Sequence, residues 1–280
     1  MKTKVSLLNK QLIKQFVAAF SLISTVLSII LIFVDIPDKI KFISFCGFII
    51  LLIFLYISNW IRANKILSQK LHINNSTVKI KIGDIFSEPG LKAIAFNEYF
   101  DTQVDEDIIA STTLNGKFIQ QKNIDVAALD TLIKNDIYLK ESIIEENTSR
   151  KNGKTIRYKL GSILLYEQEY ILTAFSRFDE KNKAYLTIQD YLEFLINFWT
   201  DVDKVYAGRS VTIPLFGSGI TRFRGYEMIN DQELLEILIW SFKISRIKIT
   251  HPAQVTILIN PDKKGQINFY DLKGGDCSVL

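Results

Sequence analysis

The sequence has few of the residues that usually mark a metal site, a disulfide framework or a histidine-based active site. Its 280 residues include two cysteines and two histidines. Cys46 lies inside an apolar run and Cys277 near the end of the chain, a spacing that fits neither a zinc site nor a disulfide framework. His72 and His251 have no partner at triad-like or metal-ligand spacing, and there is no Walker loop, zinc motif or nucleophile elbow. We therefore expect no bound metal and no catalytic residue.

Charged residues are missing from two stretches near the N-terminus, each twenty residues long. They cover about residues 15–34 and 42–61, and a helix rising about 1.5 Å per residue crosses the roughly 30 Å hydrocarbon core in that length. Only the sequence DIPDKIK separates them, so the pattern predicts a transmembrane helical hairpin. The alternatives are a buried helical pair and a signal peptide, but a signal peptide would end at a small-residue cleavage site.

Basic residues are concentrated around these two stretches. Residues 1–70 contain nine Lys and Arg against two Asp, a net charge of +7, whereas residues 71–280 carry −3. The positive-inside rule then predicts a multi-pass protein with both termini, and the whole of residues 71–280, in the cytoplasm. A domain of net charge −3 lacks the positive field that binding to a phosphate backbone needs, so no nucleic-acid partner is expected.

Predicted strands and amphipathic helices alternate after residue 71. Asn230 and Glu233 stand at capping-box spacing before an apolar helical stripe, so a helix is expected to begin there. This alternation predicts an α/β fold with a mixed sheet flanked by helices, and a ligand beyond the carboxyl ends of the strands. Strands are predicted over residues 76–83, 91–100, 161–167, 169–175, 211–216 and 254–259, with helices over 125–134 and 186–206.

The sequence Gly217-Ser218-Gly219 follows the predicted strand VTIPLF. Two glycines let the backbone approach a ligand closely and turn successive N–H groups towards one point, which suits a phosphate group. Arg222 could add a charge-assisted donor. Taken alone, the same pattern is also typical of a flexible connection between a strand and a helix.

Two stretches, with the order of strands and helices between them, resemble a macro domain, the ADP-ribose-binding module, over roughly residues 76–272. The stretches are KIKIGDIFSEPGLKAIAFNEYFDT and VTIPLFGSGITRF. The resemblance implies that Asp84 accepts a hydrogen bond from the adenine amino group, that Asn97 faces the distal ribose, and that residues 217–220 form the second phosphate loop. From its position alone, Asp84 is better explained as a turn cap, and only the resemblance favours contact with a ligand. The candidate ligand-binding residues are Asp84, Ile85, Asn97, Asp101, Gly217, Ser218, Gly219, Ile220 and Arg222.

One segment departs from the macro-domain pattern. Macro domains follow the asparagine with a glycine-rich first phosphate loop, but this chain has EYFDTQVDEDIIASTTLNG. Acidic side chains there would repel a pyrophosphate, so the first loop must be rebuilt or the ligand must differ from plain ADP-ribose. Asp101 remains a candidate because it could reach a ribose hydroxyl or a basic group on a modified nucleotide. The acids are Asp101, Asp105, Glu106 and Asp107.

The same departures, placed behind two apolar stretches, resemble the membrane-anchored, ThsA-type macro effectors of the Thoeris anti-phage system. That resemblance implies a defence effector in the bacterial inner membrane with a TIR-domain protein as its functional partner. The partner would make an ADP-ribose derivative from NAD, for example cyclic ADP-ribose or an amino-acid adduct. Binding would then drive homo-oligomerisation of the helices and membrane disruption. The alternatives are a membrane-tethered ADP-ribosyl hydrolase or NAD-consuming enzyme, and a membrane scaffold without a ligand.

Overall fold

The computed structural model describes residues 4–34 and 37–274. Their contacts divide the chain into two compact units. Among the described residues, the first contains those from 4 to 69 together with residues 267–274, and the second contains residues 70–266. Residues 267–274 therefore fold with the N-terminal helices, although the whole second unit, residues 70–266, separates the two parts along the chain.

The first unit contains two long apolar helices, α1 (Lys10–Phe33) and α2 (Asp38–Asn64). Both are long and apolar enough to cross a membrane, with mean hydropathies of 2.6 and 2.5. No residue in either apolar window is buried, whereas the core helix of a soluble protein would be mostly buried. The two helices therefore suggest membrane anchoring, as the sequence predicts.

A small apolar cluster lies at the end of this unit where α1 begins and α2 ends. Trp60 donates its Nε1–H to the carbonyl oxygen of Val5 at 2.8 Å. Tyr270 donates its hydroxyl to Oε1 of Gln15 at 2.9 Å, so the C-terminal segment is tied to α1. The buried residues of the cluster are Val5, Leu12, Ala63 and Tyr270.

The second unit is built on a mixed sheet. Among the described residues, nine strands form this sheet in the order β1-β2-β11-β9-β3-β7-β8-β10, with β6 paired to β7, while β4 and β5 form a separate hairpin. The strands are β1 (Ser68–Ile73), β2 (Ser76–Ile82), β3 (Leu91–Asn97), β4 (Ile143–Glu146), β5 (Ile156–Tyr158), β6 (Ile163–Tyr166), β7 (Tyr170–Phe178), β8 (Ala184–Leu186), β9 (Val211–Pro214), β10 (Arg222–Phe223) and β11 (Val255–Ile259).

Four neighbouring strands, β2, β11, β9 and β3, run parallel and start in register. Val255 pairs with both Val78 and Val211, and Val211 pairs with Leu91. These residues are fully buried, as expected for a parallel sheet that helices cover on both faces. The carboxyl ends of the four strands therefore meet at one edge of the sheet.

Helices cover both faces of the sheet. On one face, Phe118 packs edge-on against Phe96 of β3. On the other, Phe194 packs against Phe175 of β7 and Phe216. The first face carries α3 (Leu114–Gln121), α4 (Val126–Asn135) and α5 (Ile137–Glu141), and the second carries α6 (Ile188–Val205) and α7 (Asp231–Ser245).

The predicted mixed sheet flanked by helices is confirmed. The predicted capping box is also present, because Asn230 accepts from the Glu233 N–H at 3.0 Å and Glu233 accepts from the Asn230 N–H at 2.9 Å. The sequence pattern did not predict α3, α5, β1, the β4–β5 hairpin or the short strands β8 and β10. These elements are two to eight residues long, so their apolar periodicity is too weak to detect.

Gly161, just before β6, lies directly against the backbone of α6. Its φ is +89°, and a Cβ atom there would lie 2.6 Å from the Phe194 carbonyl oxygen. We expect Gly161→Ala to lower the free energy of unfolding by at least about 3 kcal/mol, because helix backbone cannot move aside cheaply. Gly208→Ala is the matched control, with φ +72° and open space around the Cβ position, and should cost about 1 kcal/mol. Thermal unfolding of the full chain in detergent measures both, and equal losses would contradict this account.

Candidate functional site

A cavity of about 560 Å³ opens at the edge where the parallel strands end. This volume lies within the range of sites that bind small molecules and cofactors. The wall is formed by the segments that leave β2, β3, β9 and β11, together with the start of α3 and the end of β7. The main lining segments are residues 83–86, 95–97, 108–110, 112–115, 214–221 and 260–262.

The glycine loop after β9 forms one wall of the cavity. Gly217 has φ +87°, and Ser218 donates both its N–H and its hydroxyl to the Leu215 carbonyl oxygen, at 3.3 and 3.0 Å. The N–H groups of Gly217, Gly219 and Ile220 find no acceptor among the residues that the structure describes. Free backbone N–H groups in a turn of this kind make a concavity that suits an anion.

The aromatic residues around this loop belong to the protein core. Phe216 packs against Phe194 and Phe198 of α6, and its carbonyl oxygen accepts from the Tyr191 hydroxyl at 3.1 Å. Burial raises the pKa of Tyr191, so its hydroxyl keeps its proton and remains a donor. The loop therefore leaves the sheet from a fixed point.

Asp84 and Ile85 lie at the carboxyl end of β2, at another part of the cavity wall. Asp84 is exposed, and its Oδ1 accepts from the Phe86 N–H at 3.2 Å, which caps a short 3-10 turn. The Asp84 carboxylate thus does cap a turn, and it also lines the cavity. Ile85 is buried behind it.

The acidic segment after β3 turns its carboxylates away from the cavity. Asp105 accepts from the N–H groups of Asp107 and Ile108, at 3.0 and 2.8 Å, and Glu106 accepts from the Ser111 N–H at 2.9 Å. The Ile108 amide lowers the pKa of Asp105, and the hydrogen bonds from Ser111 lower the pKa of Glu106. None of the four acids lines the cavity, so the repulsion expected from the sequence is absent from its wall.

The start of α3 lines the cavity, although the sequence pattern did not predict this helix. Thr113 caps this helix by accepting from the Gly116 N–H at 3.3 Å. Gly116 allows the preceding loop to come close, because a Cβ atom there would lie 2.3 Å from the Ala110 carbonyl oxygen. A threonine just before a possible helix is a recognised start signal and could have identified this wall.

Asn97 lines the cavity, but Asp101 does not. The Asp101 carboxylate is 1% exposed and pairs with Arg150 at 2.6 Å, and it also accepts from the Asn97 side-chain amide at 2.8 Å. The structure therefore keeps Asp101 beside Asn97 but behind the cavity wall. Arg222 is exposed on β10 and also lies outside the lining.

The lining has little net charge. Within the part of the chain that the structure describes, its ionisable residues are Asp84, Lys117 and Asp262, and neither histidine is among them. No group of three or more His, Cys, Asp or Glu side chains that could hold a metal occurs in the described residues. Recognition of an anion here would therefore depend mainly on backbone N–H groups and the amino end of α3.

Comparisons with known proteins agree on one family. Residues 78–260 match the family described as Thoeris protein ThsA, Macro domain. The Thoeris protein ThsA of Bacillus amyloliquefaciens (strain Y2) is 44% identical over 265 residues, covering 88% of this chain and 87% of that protein.

Solved structures of the Oceanobacillus iheyensis macrodomain are more distant. A mutant with ADPR is 16% identical, with a TM-score of 0.47, and the match covers 74% of this chain and 96% of that one. The same macrodomain with ADP is 15% identical, with a TM-score of 0.45, covering 74% and 94%.

The two glycines of the loop differ in what they contribute. A Cβ atom at Gly217 would lie 3.0 Å from the Phe223 ring at a positive φ, whereas one at Gly219 would meet nothing within 4 Å. We expect Gly217→Ala to lower the free energy of unfolding by about 2 kcal/mol and Gly219→Ala to change it by less than about 0.5 kcal/mol. In a chain of this size, each kcal/mol shifts the melting temperature by about 2–4 °C. Equal shifts for the two variants in a thermal melt would show that Gly217 has no special backbone role.

Proposed function

The chain belongs to the ThsA macro-domain family of Thoeris proteins, and on that premise we propose that its cavity binds an ADP-ribose-derived signal nucleotide. In this proposal the protein is an anti-phage defence effector in the bacterial inner membrane. A TIR-domain enzyme is its functional partner and makes the nucleotide from NAD. The ligand is an ADP-ribose derivative, for example cyclic ADP-ribose or an amino-acid adduct.

The order of the polar groups along the sheet edge is the observation that carries this proposal. Asp84 follows β2, the free N–H groups of Gly217, Gly219 and Ile220 follow β9, and Asn97 ends β3. In the sheet, β11 and β9 lie between β2 and β3, so three strand spacings separate Asp84 from Asn97, about 14 Å. A carboxylate acceptor, an anion cradle and an amide thus follow one another at distances that an adenosine, a diphosphate and a second ribose can span.

The charges of the cavity are consistent with a diphosphate held by the backbone. The free N–H groups of Gly217, Gly219 and Ile220 can donate hydrogen bonds to a diphosphate, although they carry no positive charge. The amino end of α3 adds a favourable dipole, and Lys117 lies one turn into that helix. Ser218 contributes by tying the loop to Leu215, which keeps the N–H groups in place.

The other candidate residues take different parts in the proposal. Ile85 supports Asp84 from the buried side, where its side chain joins the core. Arg222 lies on the exposed side of β10, just beyond the lining residue Thr221, and would attract an anion towards the mouth without contacting it in the cavity. Asp101 lies outside the lining and contributes indirectly, by accepting a hydrogen bond from the Asn97 side chain and so holding it in place.

The two apolar helices are the proposed effector part. We place α1 and α2 across the membrane with both termini and the second unit in the cytoplasm, because the basic residues flank the hairpin on that side. Ligand can drive clustering of the helices only if it binds the homo-oligomer more tightly than the single chain. Clustering would then disrupt the membrane.

Nucleotide binding can be measured on the full chain in lipid nanodiscs by isothermal titration calorimetry. We expect binding of ADP-ribose or of a derivative, and we expect Gly219→Trp to abolish it, because the open space at Gly219 belongs to the cavity. Gly265→Trp is the matched control, since a Cβ atom at Gly265 also meets nothing within 4 Å and this residue does not line the cavity. Both variants should melt within about 2 °C of the wild type.

Three other outcomes would decide between the alternatives. If ADP-ribose, cyclic ADP-ribose and amino-acid adducts all fail to bind the wild type, the proposal is wrong. Turnover of NAD or of an ADP-ribosylated protein, lost in Asn97→Ala, would favour the membrane-tethered hydrolase or NAD-consuming enzyme. Full defence activity in Gly219→Trp would favour a scaffold that needs no ligand.

The proposed topology can be tested with reporters in a bacterium. Green fluorescent protein fused to either terminus should fluoresce, and alkaline phosphatase at the same positions should be inactive, because both termini are expected in the cytoplasm. Replacing Lys10 and Lys14 with Glu should reduce that preference, whereas replacing both with Arg should leave it unchanged. Phosphatase activity at either terminus of the wild type would contradict the topology.

A further inference from the structure

The turn that follows β3 is buried and contains a carboxylate whose charge no residue of the turn compensates. Asn97 and Asp101 are 3% and 1% exposed, and Phe100 between them has φ +49°, a conformation that residues other than glycine rarely adopt. A buried carboxylate is costly unless a partner compensates its charge. The partner comes from outside the turn.

Arg150 supplies that charge from the loop between β4 and β5, 49 residues along the chain. Its Nη2 and Nη1 lie 2.6 and 3.2 Å from the two Asp101 oxygens, a bidentate pair. The guanidinium lies 3.9 Å from the centre of the Tyr99 ring, and the arginine side chain is 7% exposed. The same loop donates the Lys154 N–H to Asp101 at 2.8 Å. These contacts of Arg150 and Lys154 with Asp101 form a clamp, which holds the turn in place from outside the cavity.

This clamp fixes which way the Asn97 amide faces. Its Oδ1 accepts from the N–H groups of Tyr99 and Asp101, at 3.0 and 3.2 Å, while its Nδ2 donates to the Asp101 carboxylate at 2.8 Å. A flipped amide would set an oxygen against the carboxylate and an NH2 group against two N–H donors. Because an amide nitrogen carries two hydrogens, one remains, and Asn97 can offer the cavity only a donor.

We propose that Arg150 is a positioning residue, which acts through Asp101 to hold Asn97 as a hydrogen-bond donor, so that the ligand must present an acceptor at that end of the cavity. This inference rests on the proposed function, in which Asn97 faces the second ribose. It assigns a recognition role to a loop that does not line the cavity. The accepting group on the ligand is a hydroxyl or carboxylate oxygen.

Arg157 provides a matched comparison in the same hairpin. It pairs with Glu98 at 2.9 Å, and Glu98 is 1% exposed, so this ion pair also compensates a buried carboxylate next to Asn97 in sequence. Glu98 accepts from the Phe178 N–H and from Arg177, and neither Glu98 nor Arg157 lines the cavity. Loss of Arg157 should therefore disturb folding without changing the Asn97 amide.

ADP and ADP-ribose together separate recognition from folding, because ADP lacks the second ribose. We expect Arg150→Met, in the full chain in nanodiscs, to weaken ADP-ribose binding by about tenfold, the equivalent of one hydrogen bond, and to change ADP binding by less than about threefold. Arg157→Met should change both affinities by less than about threefold. Asn97→Asp, which removes the donor, should reproduce the ADP-ribose loss. Calorimetric titration gives all these values.

A second variant covers the case in which Arg150→Met does not fold. The double variant Asp101→Leu with Arg150→Met replaces both buried charges with apolar side chains and removes the acceptor of the Asn97 amide, and it should show the same loss for ADP-ribose only. Equal weakening of ADP and ADP-ribose, or no weakening of ADP-ribose, would overturn the role of Arg150. If the wild type binds only cyclic ADP-ribose or an amino-acid adduct, that nucleotide takes the place of ADP-ribose in the same comparison. If it binds none of these, the proposed function itself fails and the inference falls with it.

Discussion

Parallel pairing of four strands is the constraint on which the rest of the structure depends. Because β2, β11, β9 and β3 run the same way and start in register, every segment that leaves them emerges at the same edge. Residues as distant in sequence as Asp84 and Asn260 thus line one cavity. A strand covered on both faces is fully buried, as β11 is, whereas β2 alternates buried apolar residues with the half-buried Lys79 and Lys81.

The cavity is suited to an anion without many basic side chains. Its donors are backbone N–H groups, and the acids that precede α3 are engaged by the protein itself. Asp105 and Glu106 are bound by N–H groups of their own loop, and Asp101 is neutralised by Arg150. A count of charges along this segment overestimates repulsion because it ignores the direction in which each carboxylate points.

Two ion pairs behind the cavity connect the turn after β3 to the β4–β5 hairpin, which the sequence pattern did not predict. The β4–β5 hairpin brings Arg150 to Asp101 and Arg157 to Glu98, so two buried carboxylates after β3 depend on one exposed hairpin. Removing one partner from such a pair leaves an uncompensated buried charge, so loss of either arginine should destabilise the turn. The hairpin could therefore change by substitution at its tip without altering the site, provided that its two arginines remain.

The sequence by itself determined the features that follow from local pattern. The two apolar helices, the strands of the parallel sheet, the cap of α7 at Asn230 and the glycine loop after β9 all have a periodicity or a residue type that fixes them within a few positions. Tertiary structure alone decided which acids face the cavity, that Arg150 reaches Asp101, and that residues 267–274 fold with the N-terminal helices. Those outcomes depend on side-chain direction and on contacts between distant segments, and neither is encoded in the spacing of neighbouring residues.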